Sequence, residues 1–589
     1  MNIQALIGQL LIKNPAVTQR ELAEALGISL GNVNKQLKEM LASGLIAANG
    51  GSCYTLTEEG MRFMDSFRVD NAIITAAGFG SRFVPLTYEM PKGLLEVFGE
   101  RMIERQIKQL HEAGITDITI VVGYLKEKFE YLIDKYGVKL VYNPEYTCKN
   151  SLATLYHVRH LLKNTYILAS DNWLRSNLYH AYEPAAWYSG AYKEGRTSEW
   201  CLITDRKGRV TGVTVGGSDS YVMYGPAYFD RNFSERFRTL LEQYYEAPGT
   251  EDFYWEQIVK DHISELNMYC NRQPGDTVYE FENLEELRLF DTKYQKQSDN
   301  AALECISRIF RIPENEITGL KCLKAGMTNK SFLFSAKGNE YIFRIPGPGT
   351  DLLISRAQEK VCYDTVAPLG IADEIIYFDG KSGSKITRYY EGSRNADPGK
   401  PDDVARCMKF LRSFHQHKLS VPHEFNLRER IGFYEKLCFE HNGIQFEDYG
   451  EVRGRMNELL ALLDDINAPK QLSHIDSVCA NFLFLADDSI RLIDWEYAGM
   501  CDPLADIAVF AIYSYYDEQQ TDRLIDMYFE RPVSREERIR IYAYTALFGF
   551  LWALWAEYKS ALGEEFGEYT IIQYRYGKTY YKKVKELLE

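Results

Sequence analysis

The 589-residue sequence has no paired-cysteine motif: its eleven cysteines are scattered from Cys53 to Cys501 without a CxxC, and its ten histidines form no cluster at metal-ligand spacing. This argues against a disulfide frame and a zinc site, and for a reducing compartment. No basic segment runs into an apolar stretch at the N-terminus, so no signal peptide is expected. The most apolar stretch, Ala543 to Ala556, is shorter than the roughly 20 residues that a bilayer span needs. The expected location is cytoplasmic, without membrane insertion. Basic charge is scarce as well: 68 Lys and Arg against 83 Asp and Glu leave a net charge of -15, the wrong sign for a chain whose main partner is nucleic acid. An anionic substrate therefore needs a local cationic site.

What is present is an ordinary globular composition, 46% hydrophobic and 26% charged, in a chain too long for one core. At about 150 residues per domain, three or four units are expected. The chain is organised around Ala76 to Lys92, AAGFGSRFVPLTYEMPK, which follows the apolar run Ala72-Ile73-Ile74. This reads as a first strand entering a glycine-rich turn whose backbone N–H groups can approach a phosphate, with Arg82 and Lys92 behind it. A dinucleotide site requires GxGxxG and a later acid; Gly78 and Gly80 without the third glycine suit a triphosphate better. A plain turn between strand and helix is the other reading of the same residues. The loop itself does not distinguish CTP from UTP.

Residues 1–68 read as a first unit. Thr18 and Glu21 form a capping box on a short helix ending near Gly27, and a second helix runs from about Leu30 to Ala42 with Val33, Leu37 and Leu41 on one face. Gly44 to Thr57 reads as a hairpin turned at Asn49-Gly50-Gly51, and Glu58 to Phe67 as a closing helix. The order resembles the winged-helix domain of bacterial regulators. DNA is a candidate partner, with Asn32, Asn34, Lys35 and Lys38 able to face a major groove. Against it, residues 1–70 carry six Lys and Arg and seven Asp and Glu. A protein-interaction module or a plain solvated face fits equally.

From Val69 to Asp291, apolar runs at Ala72–Ala76, Asp117–Val122, Val138–Tyr142 and Tyr166–Ser170 alternate with helical patterns at Glu104–Ala113 and Lys126–Lys135, which predicts βαβ units and a mostly parallel sheet. Asp171 ends the run TYILASDNW at the carboxyl edge of that sheet, beside the glycine loop, where a metal role or a turn role is open to it. Ala76 to Arg82, with Pro85-Leu86-Thr87 and Pro91-Lys92, resembles the signature of nucleotidyltransferases that activate sugar phosphates and phospho-alcohols. Thr197-Ser198-Glu199-Trp200, Tyr254-Trp255 and Tyr279-Glu280-Phe281-Glu282 extend the likeness to the bacterial Lic-type phosphocholine cytidylyltransferases. By that resemblance Ala77, Gly78, Gly80 and Ser81, with Arg82 and Lys92 as catalytic cations, hold the triphosphate of CTP, and Asp171, Glu280 and Glu282 hold Mg²⁺. Glu282 stands where the wider family often has aspartate. Asn150 and Ser151 then contact base or ribose. Trp200, Tyr254 and Trp255 offer either aromatic faces for a quaternary ammonium or core packing.

Thr292 to Asn300, polar and without periodicity, reads as a linker to a third unit over 301–589. Gly326-Met327-Thr328-Asn329 and Tyr341-Ile342-Phe343-Arg344 read as hairpin strands closing over a nucleotide. His474-Ile475-Asp476, with Asn481 five residues after the aspartate and Ile490 to Asp494 following, supplies what phosphoryl transfer to a hydroxyl requires: an aspartate base, and an asparagine and a second aspartate for Mg²⁺. The pattern resembles small-molecule kinases related to protein kinases, the choline and ethanolamine kinases and the aminoglycoside phosphotransferases. By that resemblance Asp476 is the base, Asn481 and Asp494 are metal ligands, and Arg344 pairs with Glu359 at the ATP phosphates, an arginine where protein kinases place lysine. Tyr497, Tyr513, Tyr516, Trp552, Trp555 and Tyr569 suit one methylated cation, with Glu496 as countercharge; each of them can also be core.

The expected architecture is α/β and multidomain: a winged helix-turn-helix, a Rossmann-like mixed-sheet nucleotidyltransferase over 69–291, and a bilobal protein-kinase-like fold. The expected function is bifunctional, phosphorylation of choline by ATP and then cytidylyl transfer from CTP to phosphocholine, with Mg²⁺ in both sites. The same reactions on ethanolamine or another amino-alcohol, and a transcription regulator with ligand-sensing enzyme-like domains, are the alternatives. Homo-oligomerisation stays open.

Overall fold

A computed structural model gives the fold of the chain and describes residues 2–49, 53–296, 298–324, 329–347, 354–441, 443–563 and 566–589. Gly50-Gly51 at the expected hairpin tip and Gly326-Met327-Thr328 lie outside the described residues. The chain divides into two units, Met1–Cys322 and Leu323–Glu589. Their border falls inside the strand Thr318–Lys324, not at the stretch 292–300 that reads as a linker. That stretch is fastened down. Lys293–Lys296 is helical, buried Tyr294 donates its hydroxyl to the Glu96 carbonyl at 2.7 Å, and Asn300 caps the helix Ala301–Phe310. Polar capping and anchoring groups look like a linker in sequence.

The first unit opens with a helix that the pattern above omits, Ile3–Lys13, capped by the Asn2 side chain. Gln19–Leu26 follows with its Thr18–Glu21 capping box, and ends at Gly27 in the left-handed conformation. Leu30–Ala42, the strand pair Ile46–Ala48 and Tyr54–Leu56, and Glu58–Asp65 complete the winged-helix order around Ile7, Leu11, Leu22, Val33, Leu37 and Met40.

The chain passes at once into the large sheet. Asn71–Ala76, Ile118–Val122, Lys139–Tyr142 and Thr165–Ala169 lie parallel, as their alternation with crossover helices demands. A long hairpin, Trp187–Thr204 with Val210–Phe229, joins antiparallel to Thr165–Ala169 and makes the sheet mixed, and Tyr269–Gln273 closes the edge. A short ribbon pairs Asn172–Leu174 with Val278–Glu280, setting Asn172 opposite Glu280. Asp171 and Glu280, distant in sequence, thereby reach the same end of the parallel strands as the glycine loop.

In the second unit, Asn329–Ala336, Asn339–Pro346, Lys385–Arg388 and Ile375–Phe378 form an antiparallel ladder, accompanied by the helix Arg356–Val366. The remainder is mainly helical and surrounds Arg535–Ala561. This 27-residue helix contains the stretch Ala543 to Ala556 and, contrary to the sequence reading, is long and apolar enough to cross a membrane by length and composition; 89% of its apolar window is buried inside the protein.

Candidate active sites

The loop after Asn71–Ala76 is built to close tightly. Gly80 has φ +68°, and a Cβ there would stand 3.1 Å from Thr87 Cγ2 and 3.2 Å from Lys92 Cβ, while Gly78 faces open space. Thr87 donates to the Gly80 carbonyl at 3.0 Å and fixes the turn. Lys92 then reaches across the sheet edge and donates to Asp171 at 2.6 Å. Gly78, Gly80, Lys92 and Asp171 line a cavity of about 410 Å³, together with Asn150, Ser151 and Asp252. The Asn150 side chain caps the helix Ser151–His157 and donates to the Asp252 carbonyl at 3.2 Å, so its position in the wall is structurally fixed.

A second cavity of about 320 Å³ shares the wall formed by Thr75, Ser151 and Ala169. Trp200, Tyr254 and Trp255 line it, but they differ in character. Trp255 is buried, stacks on Tyr188 at 5.7 Å and packs against Phe229 and Phe237, so it is part of the core. Tyr254 is half exposed, and Trp200 has the Lys260 ammonium 5.6 Å above its ring. The sequence reading missed Tyr188 and Glu256. The Tyr188 hydroxyl donates to Glu256 Oε1 at 3.1 Å, whereas Glu256 Oε2 is buried without a partner. Burial pushes the Glu256 carboxyl up to about 7. Its position beside Trp255 in the Tyr-Trp-Glu run was the available signal.

Three placements depart from the expectation. Arg82 faces the second cavity and pairs with Glu282 instead of standing at the glycine loop. Glu282 is therefore committed to that arginine, and the carboxylate sharing the field of Asp171 is Glu280. Ser81 begins the short turn Ser81–Phe83 and lines neither cavity.

Burial and then the charge of Asp171 raise Glu280 to about 7; burial also works to raise Asp171, but Lys92 outweighs it and holds Asp171 below the usual range. Two repelling carboxylates, of which only Asp171 is seen paired with Lys92, fit a divalent cation. Among the described residues no three carboxylate, His or Cys side chains converge on one point, so the remaining ligands would be phosphate oxygens and water.

In the second unit, Asp476 and Asn481 flank a tight turn. Asn481 Nδ2 donates to the Asp476 carbonyl at 2.8 Å and to its carboxylate at 2.9 Å. Ile475 and Asp494 both have φ +68°, a left-handed conformation that a β-branched residue adopts only when its surroundings impose it. Asp506 imposes it: this buried carboxylate accepts from the backbone N–H of His474 at 3.0 Å and of Ile475 at 2.7 Å, and is held in turn by His415 at 2.9 Å. Burial, then Asp494 and Glu496, raise the Asp476 carboxyl well above its ordinary value.

Arg344 pairs with Glu359 at 3.1 Å as expected, and also with Asp494. Two cations that the sequence reading missed join them: Arg356 donates to Glu359 at 2.9 Å, and Lys385 lies 3.2 Å from the same carboxylate. Glu496 is not the countercharge expected for a substrate ammonium, because it receives Arg344 at 3.0 Å and Arg356 at 3.3 Å. Burial works against Asp494's charge, but Arg344 and Lys385 hold it down at about 2, an ionised state suited, with the amide oxygen of Asn481, to a hard cation.

The aromatic residues form a chain of contacts, edge-on for Tyr497–Trp552 at 5.4 Å, Tyr513–Trp552 at 6.0 Å and Trp552–Trp555 at 6.2 Å, and tilted for Tyr513–Tyr569 at 6.1 Å. Tyr497, Tyr513 and Tyr569 lie within the field of Asp476, which adds to the effect of burial in raising each phenol. Tyr516 does not belong to this group. The chain turns after Tyr513 through Tyr515 at φ +54°, so Tyr516 donates to the Pro398 carbonyl at 2.6 Å and packs on Phe510.

Three family models match the chain: winged helix-turn-helix DNA-binding over residues 7–47, nucleotidyl transferase over 71–198, and the phosphotransferase enzyme family over 319–542. A choline-phosphate cytidylyltransferase from Streptococcus pneumoniae is 37% identical over 217 residues, covering 37% of this chain and 95% of the relative. The chain belongs to the nucleotidyl transferase family. A 2-aminoethylphosphonate cytidylyltransferase from Lancefieldella rimae is 36% identical over 230 residues, covering 38% of this chain and 93% of that relative. For the other half, the crystal structure of a choline kinase, LicA, from Streptococcus pneumoniae is 29% identical and covers 48% of this chain and 98% of its own, with a TM-score of 0.42. The nucleotidyl transferase is thus fused to a phosphotransferase in one bifunctional enzyme, behind a winged helix.

Proposed function

We propose that the chain converts choline to CDP-choline in two steps. The second unit moves the γ-phosphoryl group of ATP to the choline hydroxyl, and residues 69–291 join the phosphocholine to CTP with release of pyrophosphate. The observation that carries this reading is a pairing found in both halves: an aromatic substrate site beside nucleotide-handling groups. Tyr188, Trp200, Tyr254 and Glu256 adjoin the glycine-loop cavity, and Tyr497, Tyr513 and Tyr569 lie within the field of Asp476. Ring faces attract a methylated ammonium by about 0.5–2 kcal/mol each without requiring N–H donors.

In the first step Asp476 accepts the hydroxyl proton as the choline oxygen attacks the γ-phosphorus and the bond to the β-phosphate oxygen breaks, releasing ADP. In the second, an oxygen of phosphocholine attacks the α-phosphorus of CTP and pyrophosphate departs; the incoming group is already an oxyanion, so no protein nucleophile is needed. The backbone of Gly78 to Gly80 and Lys92 orient the triphosphate, and Arg82, at the second cavity, meets the incoming phosphate. Asp171 and Glu280 in one site, and Asn481 and Asp494 in the other, would hold Mg²⁺, which would supply neutralisation of the phosphate charge. Purified protein with choline, ATP, CTP and Mg²⁺ should form CDP-choline; none above a no-protein control would end the proposal.

The unpartnered Oε2 of Glu256 favours one second reading, the same pair of reactions on ethanolamine, since the primary ammonium of phosphoethanolamine or of an aminoethyl phosphonate would donate to it. Competition between choline and ethanolamine in the first reaction, and between their phosphates in the second, decides between them. Residues 1–68 offer a separate surface to DNA, since Asn34, Lys35 and Lys38 are exposed on Leu30–Ala42. A salt-dependent mobility shift on the organism's own promoter DNA tests it. All eleven cysteines are free, which suits a reducing cytoplasm.

A further inference from the structure

We propose that Arg356 is a positioning residue of the phosphotransferase site: it ties the helix carrying Glu359 to the Asp494–Glu496 segment, and so leaves Arg344 able to exchange these carboxylates for nucleotide phosphate. The inference rests on the phosphotransfer reading but not on choline as the acceptor.

The network contains more cationic contacts than a single Arg–Glu pair requires. Glu359 is fully buried and receives Arg344 at 3.1 Å, Arg356 at 2.9 Å and Lys385 at 3.2 Å. Glu496 receives Arg344 at 3.0 Å and Arg356 at 3.3 Å. Arg344 also holds Asp494. A buried carboxylate left without a partner is strongly unfavourable, so a cation that is the sole partner of two acids cannot leave them for a substrate. Among the described residues, with Arg356 in place, departure of Arg344 still leaves Glu359 with two cations and Glu496 with one, while Asp494, 31% exposed, opens to solvent. Without Arg356, Arg344 is the one described cation on Glu496, and the phosphate-binding cation is held in the network.

The sequence places Arg356 for this task. It stands one helical turn before Glu359 in Arg356–Val366, so the two side chains meet at i, i+3. It is 3% exposed, and its planar fork can serve two carboxylates at once, which an ammonium does less well. The turn before Lys385 closes over its stem. Gly383 has φ +73°, and a Cβ there would come 2.5 Å from Arg356 Cδ. Only glycine lets that turn and the buried arginine occupy the same place.

The test uses Arg356→Met, Arg356→Lys and Gly383→Ala in the full chain, with two readouts. Steady-state kinetics should show kcat/KM for ATP lowered about 10- to 100-fold in Arg356→Met, the usual range when the support of a ligating group is removed, while KM for the alcohol stays within twofold. The rise in melting temperature of the second unit on adding Mg·ATP, measured without any acceptor, should shrink in parallel. Arg356→Lys should recover part of both, and Gly383→Ala, which displaces the arginine without removing its charge, should change them in the same direction as Arg356→Met. A purely structural residue would lower the nucleotide-free melting temperature and reduce ATP and alcohol kinetics equally; that result, or an Arg356→Met protein with wild-type ATP kinetics and Mg·ATP shift, overturns the proposal. A wild-type chain showing the Mg·ATP shift but no phosphorylation of choline would reject the choline reading alone. A wild-type chain with no such shift would reject both.

Discussion

Glu256 shows how one residue can set the behaviour of the proposed phospho-alcohol site. Its carboxyl lies near neutrality because burial disfavours its charge, and Tyr188 donates to only one of its oxygens. A cation entering the cavity favours the ionised form, so binding and ionisation help each other. KM for the cationic phospho-alcohol should therefore rise as pH falls below about 7, and Glu256→Gln should flatten the profile; a wild-type KM unchanged between pH 8 and 6 would remove Glu256 from the site. The same shift predicts a stability effect of definite sign. Between the ordinary value of 4.5 and about 7 the folded state binds the extra proton, so this group makes the fold less stable as pH rises through that window. Denaturant unfolding of Glu256→Gln should accordingly gain on wild type at pH 8 and not at pH 4. Sequence reasoning found the aromatic neighbours of Glu256 because the Tyr-Trp pair resembles a family pattern. It passed over the glutamate because a pKa set by burial has no local signature. Asp506 was invisible for a related reason: it lies far along the chain from the His474–Asp476 turn that it fixes, within an apolar helix where its partners cannot be read.

At the scale of elements, legibility followed the range of the interaction. The caps of the winged helix and the parallel strands were readable because a capping box and a period of two or 3.6 residues are local features. The ribbon that brings Glu280 opposite Asn172 was not, since each strand has three residues and the partners lie 108 positions apart. Arg82 was misplaced for the same reason, because its partner Glu282 is 200 residues away. The helix Arg535–Ala561 presents the converse case: its apolar stretch reads as too short for a membrane span, the whole helix is long and apolar enough for one, and its packing is that of a core helix. It meets Tyr569–Leu588 closely at Gly549, where an added Cβ would stand 2.6 Å from Tyr576 Cβ and 2.7 Å from the Gln573 carbonyl. The carbonyl is backbone and cannot swing aside. Gly549→Ala should destabilise the second unit by about 1–3 kcal/mol, despite alanine's higher helix propensity. Denaturant unfolding followed through the tryptophans of that helix measures it, and an unchanged or raised midpoint would mean that the helices separate at no cost.

At the scale of the whole molecule, the winged helix is bonded to the nucleotidyl transferase domain rather than tethered to it. Asn164 Nδ2 donates to the Arg68 carbonyl at 2.9 Å, Val69 donates to the Ala181 carbonyl at 2.9 Å, and Arg68 donates to the Tyr182 hydroxyl at 2.9 Å. Ala5, Met64 and Tyr182 pack as one cluster across the junction. The two catalytic halves, in contrast, need share only a metabolite, and this can be tested by separating their chemistry. Asp476→Asn removes the proposed proton acceptor of the first reaction, and Lys92→Ala removes the ammonium at the glycine loop proposed for the second. Asp476→Asn should make no CDP-choline from choline yet use supplied phosphocholine at the wild-type rate. Lys92→Ala should accumulate phosphocholine and stop there. If phosphocholine is released to solution between the sites, an equimolar mixture of the two variants makes CDP-choline from choline after a lag that lengthens as the protein is diluted. If it passes directly within the chain, the mixture stays far below wild type even when each variant performs its own half-reaction fully. Loss of both half-reactions in either folded variant would show instead that the halves are not chemically independent, contrary to the assignment of Asp476 and Lys92 to separate steps.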